Sequence, residues 1–397
     1  MDYDIIVSGG GIAGLTATAA FASAGFDVLC VDPAPPVTAR DAIGADLRST
    51  AFLQPARQLL DDIGLWARLA PHAAPLQIMR IIDAGGPEPE ARMSKEFDAS
   101  DISELPFGWN LPNWLLRREI LAHLDSLPSV TFRAGVSARS LLTRTAEARV
   151  GLSDGSRLRC RLVVAADGRN SAMRQAAGID VTTHRFGQKA LAFAVTHTVP
   201  HDNISTEVHR TGGPFTLVPL PDHDGQPCSA VVWMCDGTEA QRLHQLPEAA
   251  FNDAATARSG DILGPLQLVS PRSVWPIISQ IADRLTAQRT ALVAEAAHVM
   301  PPIGAQGLNM SLADLDTLLD LAEAAPSDLG SPSMLDAYQD ARHGDIRLRV
   351  KGIDALNRAS IAGHPLAQHL RGIGIRALYD IAPIRRRVMA MGLGAGR

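Results

Sequence analysis

Residues 4–14 read DIIVSGGGIAG, a short apolar run that leads directly into glycines at positions 9, 11 and 14. An apolar run rich in Ile and Val favours a buried β-strand, and the G-x-G-x-x-G spacing is typical of the turn into a helix. Residues 12–24 suit a helix, Gly25 suits its C-cap, and residues 26–31 form a second apolar run that ends in Asp32. The order of strand, glycine turn, helix, strand and acid predicts a βαβ unit that binds a dinucleotide.

The three glycines have separate physical tasks in such a unit. Gly9 permits the tight turn, Gly11 lets the main chain approach a pyrophosphate, and Gly14 lets the helix pack close to the strand. The alternative is a glycine-rich turn in an ordinary βαβ unit that binds nothing. The motif does not distinguish NAD from FAD, because both cofactors use it.

The ends of the helix and of the second strand supply the predicted polar contacts. At Ile12 and Ala13 the helix N-terminus presents unpaired N–H groups and the positive end of its dipole to the phosphates. Asp32 lies 18 residues beyond Gly14, where a carboxylate accepts hydrogen bonds from ribose hydroxyls. We therefore predict these residues as cofactor contacts.

A second segment points to the same edge of a sheet. Residues 150–160 predict a β-hairpin around an Asp-Gly turn, and residues 162–166 predict a buried strand that ends in Asp167. Because ligands bind beyond the carboxyl ends of strands in open α/β sheets, Asp167 is a predicted cofactor ligand. The alternative is that its carboxylate only stabilises an Asp-Gly turn.

A third segment, residues 292–309, reads LVAEAAHVMPPIGAQGLN. It predicts a strand that ends in an acid, a loop of Pro and Gly, and a helix from about Gly307. The N-terminus of this helix either binds an anion or stabilises negative charge on a carbonyl of the cofactor. The leucines from Leu308 onward recur at helical spacing and belong to the core. His298 either orients the loop or is a packed or capping histidine. The predicted cofactor contacts of this segment are Glu295, Pro302, Gly304, Gly307, Leu308 and Asn309.

Together the three segments resemble the class A flavoprotein aromatic hydroxylases, the family of p-hydroxybenzoate hydroxylase. The shared pattern is G-x-G-x-x-G, then Asp-Gly, then Gly-Asp followed by Pro and Gly. The branch that hydroxylates ubiquinone precursors is the most similar, on residues 46–51, 113–118, 213–220, 229–233 and 338–345. The similarity spans nearly the whole chain. It implies FAD as cofactor, NAD(P)H as transient electron donor, O2 as co-substrate and a phenolic, prenylated substrate.

The resemblance also assigns residues outside the three segments. Arg48 matches an arginine near the isoalloxazine and pyrophosphate, and Asn113 matches a polar flavin contact. Either Arg117 or Arg118 matches a further flavin-side arginine, and the register leaves both open. One departure stands out, because the family has Gly-Asp where this chain has Ala294-Glu295. The longer glutamate is expected to shift the ribityl contact or to weaken flavin retention.

The resemblance implies a reaction in which NAD(P)H reduces FAD and O2 adds at the flavin C4a carbon. The hydroperoxide then transfers a hydroxyl to an activated phenol ring. The cofactor performs the difficult chemistry, so no catalytic residue is assigned. Two alternatives stay open. One is hydroxylation of another aromatic compound in catabolism or tailoring. The other is a flavin-poor accessory subunit of a quinone-biosynthesis complex, which the Ala294-Glu295 departure motivates.

The expected fold is α/β, with a Rossmann-like FAD-binding domain of the glutathione-reductase type and an inserted antiparallel β-sheet domain. Strands are predicted at 190–199, 205–208, 215–220 and 229–234. The predicted domains are a discontinuous FAD-binding domain (1–75, 99–185 and 273–332), a substrate-binding β domain (76–98 and 186–272) and a C-terminal helical segment (333–397).

Composition and charge exclude several other classes. With 37 basic and 42 acidic residues the formal charge is −5, which argues against nucleic-acid binding. No secretory n-region or long apolar run is present, so we expect a cytoplasmic protein without a membrane span. The four cysteines and twelve histidines match neither a disulfide framework nor a metal-site spacing. We expect reduced core thiols and no metal.

The C-terminal region has arginines among apolar residues. They form either an ordinary solvated helical face or an amphipathic element that contacts a partner or the inner face of the membrane. These arginines are Arg371, Arg376, Arg385, Arg386, Arg387 and Arg397.

Overall fold

The structure, a computed structural model, describes residues 1–84, 93–210, 212–361, 379–380 and 382–393. The strands of this part of the chain are β1 (Ile5–Ser8), β2 (Val28–Asp32), β3 (Ser49–Leu53), β4 (Ala74–Leu76), β5 (Ile78–Asp83), β6 (Met93–Asp98), β7 (Gly108–Pro112), β8 (Val130–Ala134), β9 (Ala138–Thr143), β10 (Ala148–Leu152), β11 (Arg157–Cys160), β12 (Leu162–Ala165), β13 (Val181–Thr196), β14 (Ile204–Arg210), β15 (Gly213–His223), β16 (Gln226–Asp236), β17 (Gln267–Leu268), β18 (Ser273–Ala282), β19 (Thr286–Ala287), β20 (Thr290–Leu292) and β21 (His298–Val299). The helices are α1 (Ile12–Ser23), α2 (Gln54–Asp62), α3 (Trp66–Leu69), α4 (Asn113–Leu124), α5 (Ala172–Ala176), α6 (Gly237–Gln245), α7 (Glu248–Ser259), α8 (Gln306–Ala324), α9 (Pro332–Ile361) and α10 (Ala382–Leu393).

A six-stranded sheet holds the predicted βαβ unit at its centre. Its strand order is β19-β20-β12-β1-β2-β8, and all neighbours run parallel except β19 and β20. Strands β1 and β12 are fully buried, as expected for parallel strands covered on both faces. Helix α1 connects β1 to β2 and ends before Gly25 in the left-handed region (φ +88°). The carboxyl ends of β1, β2, β12 and β20 therefore lie along one edge.

A larger, mostly antiparallel sheet follows the order β21-β18-β13-β16-β15-β14-β5-β6, with β17 paired to β13. It contains all four strands predicted between residues 190 and 234, which confirms the inserted sheet. One face packs against α6 and α7 through a core that includes Phe193, Phe215, Trp233 and Phe251. The opposite face has a smaller apolar cluster, with Ala190, Met234, Ile277 and Trp275.

The sheet membership differs from the predicted domain boundaries at three points. Strand β13 begins at Val181, and the whole of β18 (Ser273–Ala282) and of β21 (His298–Val299) belongs to the large sheet. The prediction placed residues 181–185, 273–282 and 298–299 in the FAD-binding domain. The reason is pairing, because β13 and β18 are joined along their length across a bulge between Arg185 and Lys189. Pairing between distant strands leaves no local pattern in the sequence near residues 186 and 272, where the domain boundaries were predicted.

The C-terminal part is helical where it is described. Helix α10 packs through Met389 against Phe97 and Phe107. Arg385 pairs with Asp101 at 3.3 Å, so it is not an ordinary solvated residue. Arg386 and Arg387 are exposed, whereas Arg371, Arg376 and Arg397 lie outside the described residues. No helix within the described ranges is long and apolar enough to cross a membrane.

The four cysteines are free and buried, which confirms the prediction of reduced core thiols. Burial raises the pKa of the Cys30 thiol to about 12 and that of Cys160 to about 12. These thiols are therefore protonated at neutral pH. Among the described residues, no group of three or more His, Cys, Asp or Glu side chains could hold a metal ion.

Candidate functional site

The glycine turn combines close packing with open space. Gly9 has φ +110°, and a side chain there would collide with the carbonyl of Ala166. A side chain at Gly14 would collide with the carbonyl oxygen of Gly9. At Gly11, by contrast, an added Cβ would meet no atom within 4 Å. Gly9 and Gly14 thus let the turn pack against the neighbouring backbone without a steric clash. Gly11 borders an open space, here called the cradle, that a phosphate can enter.

Helix α1 and Asp32 border the same cradle. The N-cap of α1 is Gly11, and no side chain caps the first turn, so the N–H groups there remain available to a ligand. The Asp32 carboxylate accepts hydrogen bonds from the backbone N–H of Gly10 at 2.6 Å and of Ala34 at 2.9 Å. Each oxygen retains a lone pair, which suits the hydroxyls of a ribose.

Asp167 begins the second segment and has a local role. Its carboxylate accepts hydrogen bonds from the Ser171 hydroxyl and from the backbone N–H of Met173 at 3.1 Å. It therefore stabilises the turn into α5, which was the alternative to ligand binding. Both tasks are compatible, because each carboxylate oxygen accepts more than one hydrogen bond. Gly9 packs directly against this residue, so Asp167 lies next to the glycine turn.

Arg174 joins the second segment to the third, a link that sequence reasoning missed. The side chain is 4% exposed. Its guanidinium donates to the carbonyl of Ala296 at 2.9 Å and to that of Arg169 at 2.9 Å. Burial holds the pKa of Arg174 below its usual value, although the charge of Asp167 opposes the shift. The signal in the sequence was a basic residue seven positions after Asp167, which alone does not identify a partner.

The turn after β20 contains the unusual Ala294-Glu295 pair. Ala294 has φ +56°, the left-handed region that favours glycine, which is the residue the family pattern has here. Residues 294–296 form one turn of 3₁₀ helix. The Glu295 carboxylate is half exposed and lies 3.6 Å from the guanidinium Nε of Arg169. The chain therefore retains the glycine-type backbone and delivers a longer acid to the same edge of the sheet.

Asp46 organises the positively charged part of the site. Arg48 donates to its two carboxylate oxygens at 2.8 and 2.7 Å, and Asn113 donates to it at 3.0 Å. The Arg117 guanidinium lies 3.6 Å from the same carboxylate. Burial alone would raise the pKa of Asp46, but the hydrogen bonds and charges of these neighbours outweigh it and hold the pKa below its usual value.

This cluster separates the two candidate arginines of α4. Arg117 joins Arg48 and Asn113, whereas Arg118 turns away and pairs with Glu119 at 2.8 Å. Helix α4 begins at Asn113, so both arginines lie in its second turn. Arg117 is the candidate that the structure brings to the site.

Arg48 links this cluster to the large sheet and to the third segment. Its guanidinium lies 5.3 Å from the ring centroid of Trp275 on β18. The hydrogen bonds with Asp46 raise the pKa of Arg48, and the charge of Glu295 acts in the same direction. Arg48, Glu295 and Trp275 therefore surround one region between the two sheets.

Helix α8 points its N-terminus at this edge. Its N-cap, Ala305, has φ +55°, and no side chain caps the first turn. Pro302, Gly304 and Gly307 are exposed around it, and Leu308 packs partly on the core. Asn309 instead bonds to the protein, accepting from the Leu53 N–H at 2.8 Å and donating to the Ala51 carbonyl at 2.7 Å. The Asn309 amide thus ties α8 to β3.

A buried ionic network links α8 to β21 and α9. His298 lies 2.6 Å from Asp314 on α8, and Arg342 on α9 donates to the same carboxylate at 2.8 Å. All three side chains are buried. His298 is therefore a packed histidine that holds β21 to α8, and the alternative of direct contact with a ligand is not supported. Asp314 was missed because its charge looks like that of a solvated helix position in sequence, and Arg342, which lies in the resembling segment 338–345, was given no role.

The donors and spaces of this site fit FAD. The cradle at Gly11 suits a pyrophosphate, Asp32 suits the adenosine ribose, and the open N-terminus of α8 suits the carbonyl edge of a flavin ring. The cations at Arg48 and Arg117 share the Asp46 carboxylate, and Trp275 and Glu295 lie near Arg48.

Comparison with known proteins agrees with this geometry. A family model described as an FAD binding domain matches residues 2–350. Ubiquinone hydroxylase UbiL of Rhodospirillum rubrum is 34% identical, over 98% of this chain and 89% of that protein. The 3-demethoxyubiquinol 3-hydroxylase of Escherichia coli is 25% identical, over 98% of each chain. The p-nitrophenol 4-monooxygenase PnpA of Pseudomonas putida DLL-E4 superimposes with a TM-score of 0.80 over 99% of this chain and 98% of that chain, at 18% identity, and so shares the fold.

Replacement of Gly11 by alanine is expected to weaken FAD binding without unfolding the chain. The backbone there has φ −70°, which alanine adopts freely, but the new methyl enters the space of the pyrophosphate. We expect the Kd for FAD, measured by fluorescence titration of the apoprotein, to rise at least about tenfold, or about 1.4 kcal/mol. As the control, Gly14→Ala should lower the melting temperature of the apoprotein itself. An unchanged Kd for Gly11→Ala would contradict the placement of the pyrophosphate.

Replacement of Ala294 by glycine is expected to stabilise the protein. A non-glycine residue in the left-handed region costs about 1–3 kcal/mol, and glycine gives back about 0.5–1 kcal/mol through its greater freedom when unfolded. Urea denaturation should show a free energy of unfolding about 1 kcal/mol higher. The control, Ala296→Gly in the same turn but without a positive φ, should lower it by about 0.5–1 kcal/mol. A destabilised Ala294→Gly variant would show that the turn is not strained.

Proposed function

We propose, from the premise that this chain belongs to the FAD binding domain family, that it hydroxylates the ring of a prenylated ubiquinone precursor. The chain is an FAD-dependent aromatic hydroxylase that uses NAD(P)H and O2. The observation that best supports this substrate is the 34% identity, over 98% of the chain, to a protein named as a ubiquinone hydroxylase. Further relatives of the same type include the human ubiquinone biosynthesis monooxygenase COQ6, 25% identical over 98% of this chain.

The large sheet offers a surface that suits such a substrate. Its face opposite α6 and α7 has small and apolar side chains, and this face continues to Trp275 beneath Arg48. Most of this face is buried within the protein, and its partly buried residues are Phe186, Val232 and Trp275. A phenol with an isoprenoid chain is mostly apolar, so its burial against these three side chains is favourable. The residues of this face are Ala190, Ala194, Leu220, Cys228, Ala230 and Met234.

In this mechanism the bound flavin supplies the reduction of O2 and the transfer of one oxygen atom to the ring. The chain holds the cofactor at both ends. We assign the adenosine end to Gly9, Gly11, Gly14 and Asp32, together with the helix N-terminus at Ile12 and Ala13. The other predicted contacts are Arg48, Asn113, Arg117, Asp167, Glu295, Pro302, Gly304, Gly307, Leu308 and Asn309, whereas Arg118 pairs with Glu119 instead. The apolar sheet face excludes water from the reacting ring.

Deletion of the gene in its natural host tests the substrate directly. We expect a quinone precursor that lacks one ring oxygen to accumulate, as measured by mass spectrometry, and the wild-type gene to restore the normal quinone. The Gly11→Ala variant should restore it poorly, because it retains less FAD. An unchanged quinone profile would contradict the proposed substrate and favour a different aromatic compound. Purification of the wild type without flavin would instead favour an accessory subunit.

We also propose a peripheral contact with an anionic membrane, since a prenylated substrate resides in lipid. The outer face of α9 exposes Leu348 (73%) and Leu356 (58%). Exposed basic residues flank them at Arg347, Lys351 and Arg358. Apolar side chains beside cations suit the surface of an anionic bilayer.

Cosedimentation with vesicles tests this contact. The protein should bind phosphatidylglycerol vesicles, release them at high salt, and bind far less when Leu348 and Leu356 are both changed to Ser. Leu142→Ser, at a similarly exposed leucine on β9, is the control and should bind as the wild type does. Absence of binding to anionic vesicles, or binding that the double variant retains, would contradict the proposal.

A further inference from the structure

Two turns that follow neighbouring parallel strands lie side by side at one edge of the six-stranded sheet. Strand β12 leads into the turn that contains Arg169, and β20 leads into the turn that contains Glu295. These strands are paired, with Ala165 opposite Leu292. The other neighbour of β12 is β1, which ends at the glycine turn. Both turns therefore lie at the edge where the glycine turn offers its cradle.

One buried guanidinium holds the main chain of both turns. Arg174 donates to the carbonyl of Arg169 and to that of Ala296, each at 2.9 Å. The side-chain amide of Gln280 on β18 donates to the same Arg169 carbonyl at 3.0 Å. The backbone at Arg169 and the backbone next to Glu295 are thus tied to a single side chain. A contact between the Arg169 and Glu295 side chains therefore needs little backbone adjustment.

From these positions Arg169 and Glu295 form an ion pair. Arg169 Nε lies 3.6 Å from Glu295 Oε2, and within the described ranges Glu295 is the carboxylate paired with this guanidinium. Arg48 also interacts electrostatically with Glu295, but it donates two hydrogen bonds to Asp46. Arg48 is thus committed to Asp46, whereas Arg169 is committed to Glu295.

The pairing compensates for the greater length of the acid. A glutamate has one more rotatable bond than an aspartate, so its carboxylate samples more positions on an exposed turn. The Glu295 side chain is 50% exposed. A partner that holds the carboxylate before a ligand arrives reduces the entropy lost on binding. Because Arg169 is on the side of Oε2, the other oxygen stays available to accept a hydrogen bond from a hydroxyl.

The ion pair should matter more for cofactor affinity than for folding. Exposed ion pairs contribute little to the stability of a protein. A cofactor bound at this edge would exclude water from the turn, and the attraction between two charges grows as the dielectric constant around them falls. Loss of Arg169 should therefore weaken cofactor binding while the apoprotein unfolds much as before.

We propose that Arg169 is a positioning residue that holds the Glu295 carboxylate for the ribityl hydroxyls of FAD. This inference rests on the assignment of Glu295 to the cofactor site under the proposed function, and it does not depend on the substrate. Arg169 acts through Glu295 and not on the reacting ring. The pair lets this chain use a glutamate where the family pattern has an aspartate.

A double-mutant cycle on FAD affinity tests the proposal, with the Kd measured by fluorescence titration of the apoprotein. Arg169→Gln should raise the Kd about three- to fivefold, the upper part of the range for an exposed ion pair. In the Glu295→Gln background, Arg169→Gln should leave the Kd unchanged, because the carboxylate that Arg169 positions is gone. The melting temperature of the apoprotein should stay within about 2 °C of the wild type in all variants.

Arg149 on β10 supplies the matched control, since it forms an exposed ion pair with Glu147 at 2.6 Å. Arg149→Gln should leave the Kd for FAD unchanged. An equal rise in Kd from Arg169→Gln in both backgrounds would overturn the proposal, because Arg169 would then attract the anionic cofactor by charge alone.

The cycle also separates this proposal from the assignments on which it rests. If Glu295→Gln alone leaves the Kd unchanged, Glu295 is not a cofactor contact, and the role of Arg169 fails with it. If Glu295→Gln raises the Kd but Arg169→Gln does not, only the role of Arg169 fails. An unchanged quinone profile after gene deletion would contradict the substrate and leave these Kd values as they are, so the two failures are distinguishable.

Discussion

The seating of α1 on the ends of β1 and β12 is the constraint on which the site depends. No side chain fits at Gly14 against the Gly9 carbonyl, or at Gly9 against the Ala166 carbonyl. This contact brings the α1 N-terminus, Asp32 and the turn at Asp167 to one edge of the parallel sheet. Because those elements come from distant parts of the chain, the cofactor site exists only when the strands pair as β2-β1-β12-β20.

The third segment is positioned by bonds that local sequence does not specify. Arg174 holds the carbonyl of Ala296, Asn309 ties α8 to β3, and the buried network of Asp314 supports α8 from below. These supports fix the backbone around residue 295 whatever acid stands there. The replacement of the family aspartate by Glu295 therefore changes the reach of one side chain on a supported turn.

Much of the fold was predictable because its signals are local. The glycine turn, the buried parallel strands, the Asp-Gly hairpin and the strands of the inserted sheet all follow from short patterns of residue type. The sequence could not show which distant residues contact one another. The preference for Arg117 over Arg118, the bond from Arg174 to Ala296 and the pairing of β13 with β18 each depend on a contact between distant segments.

The central claim is that FAD lies along this edge, from Asp32 at the adenosine end to the N-terminus of α8 at the flavin end. A crystal structure of the protein purified with its own flavin measures this most directly. It should show the ribose hydroxyls within hydrogen-bond distance of Asp32, the pyrophosphate over Gly11 and the flavin ring between the α8 N-terminus and the large sheet. A flavin bound elsewhere, or a ring out of reach of α8, would contradict the account.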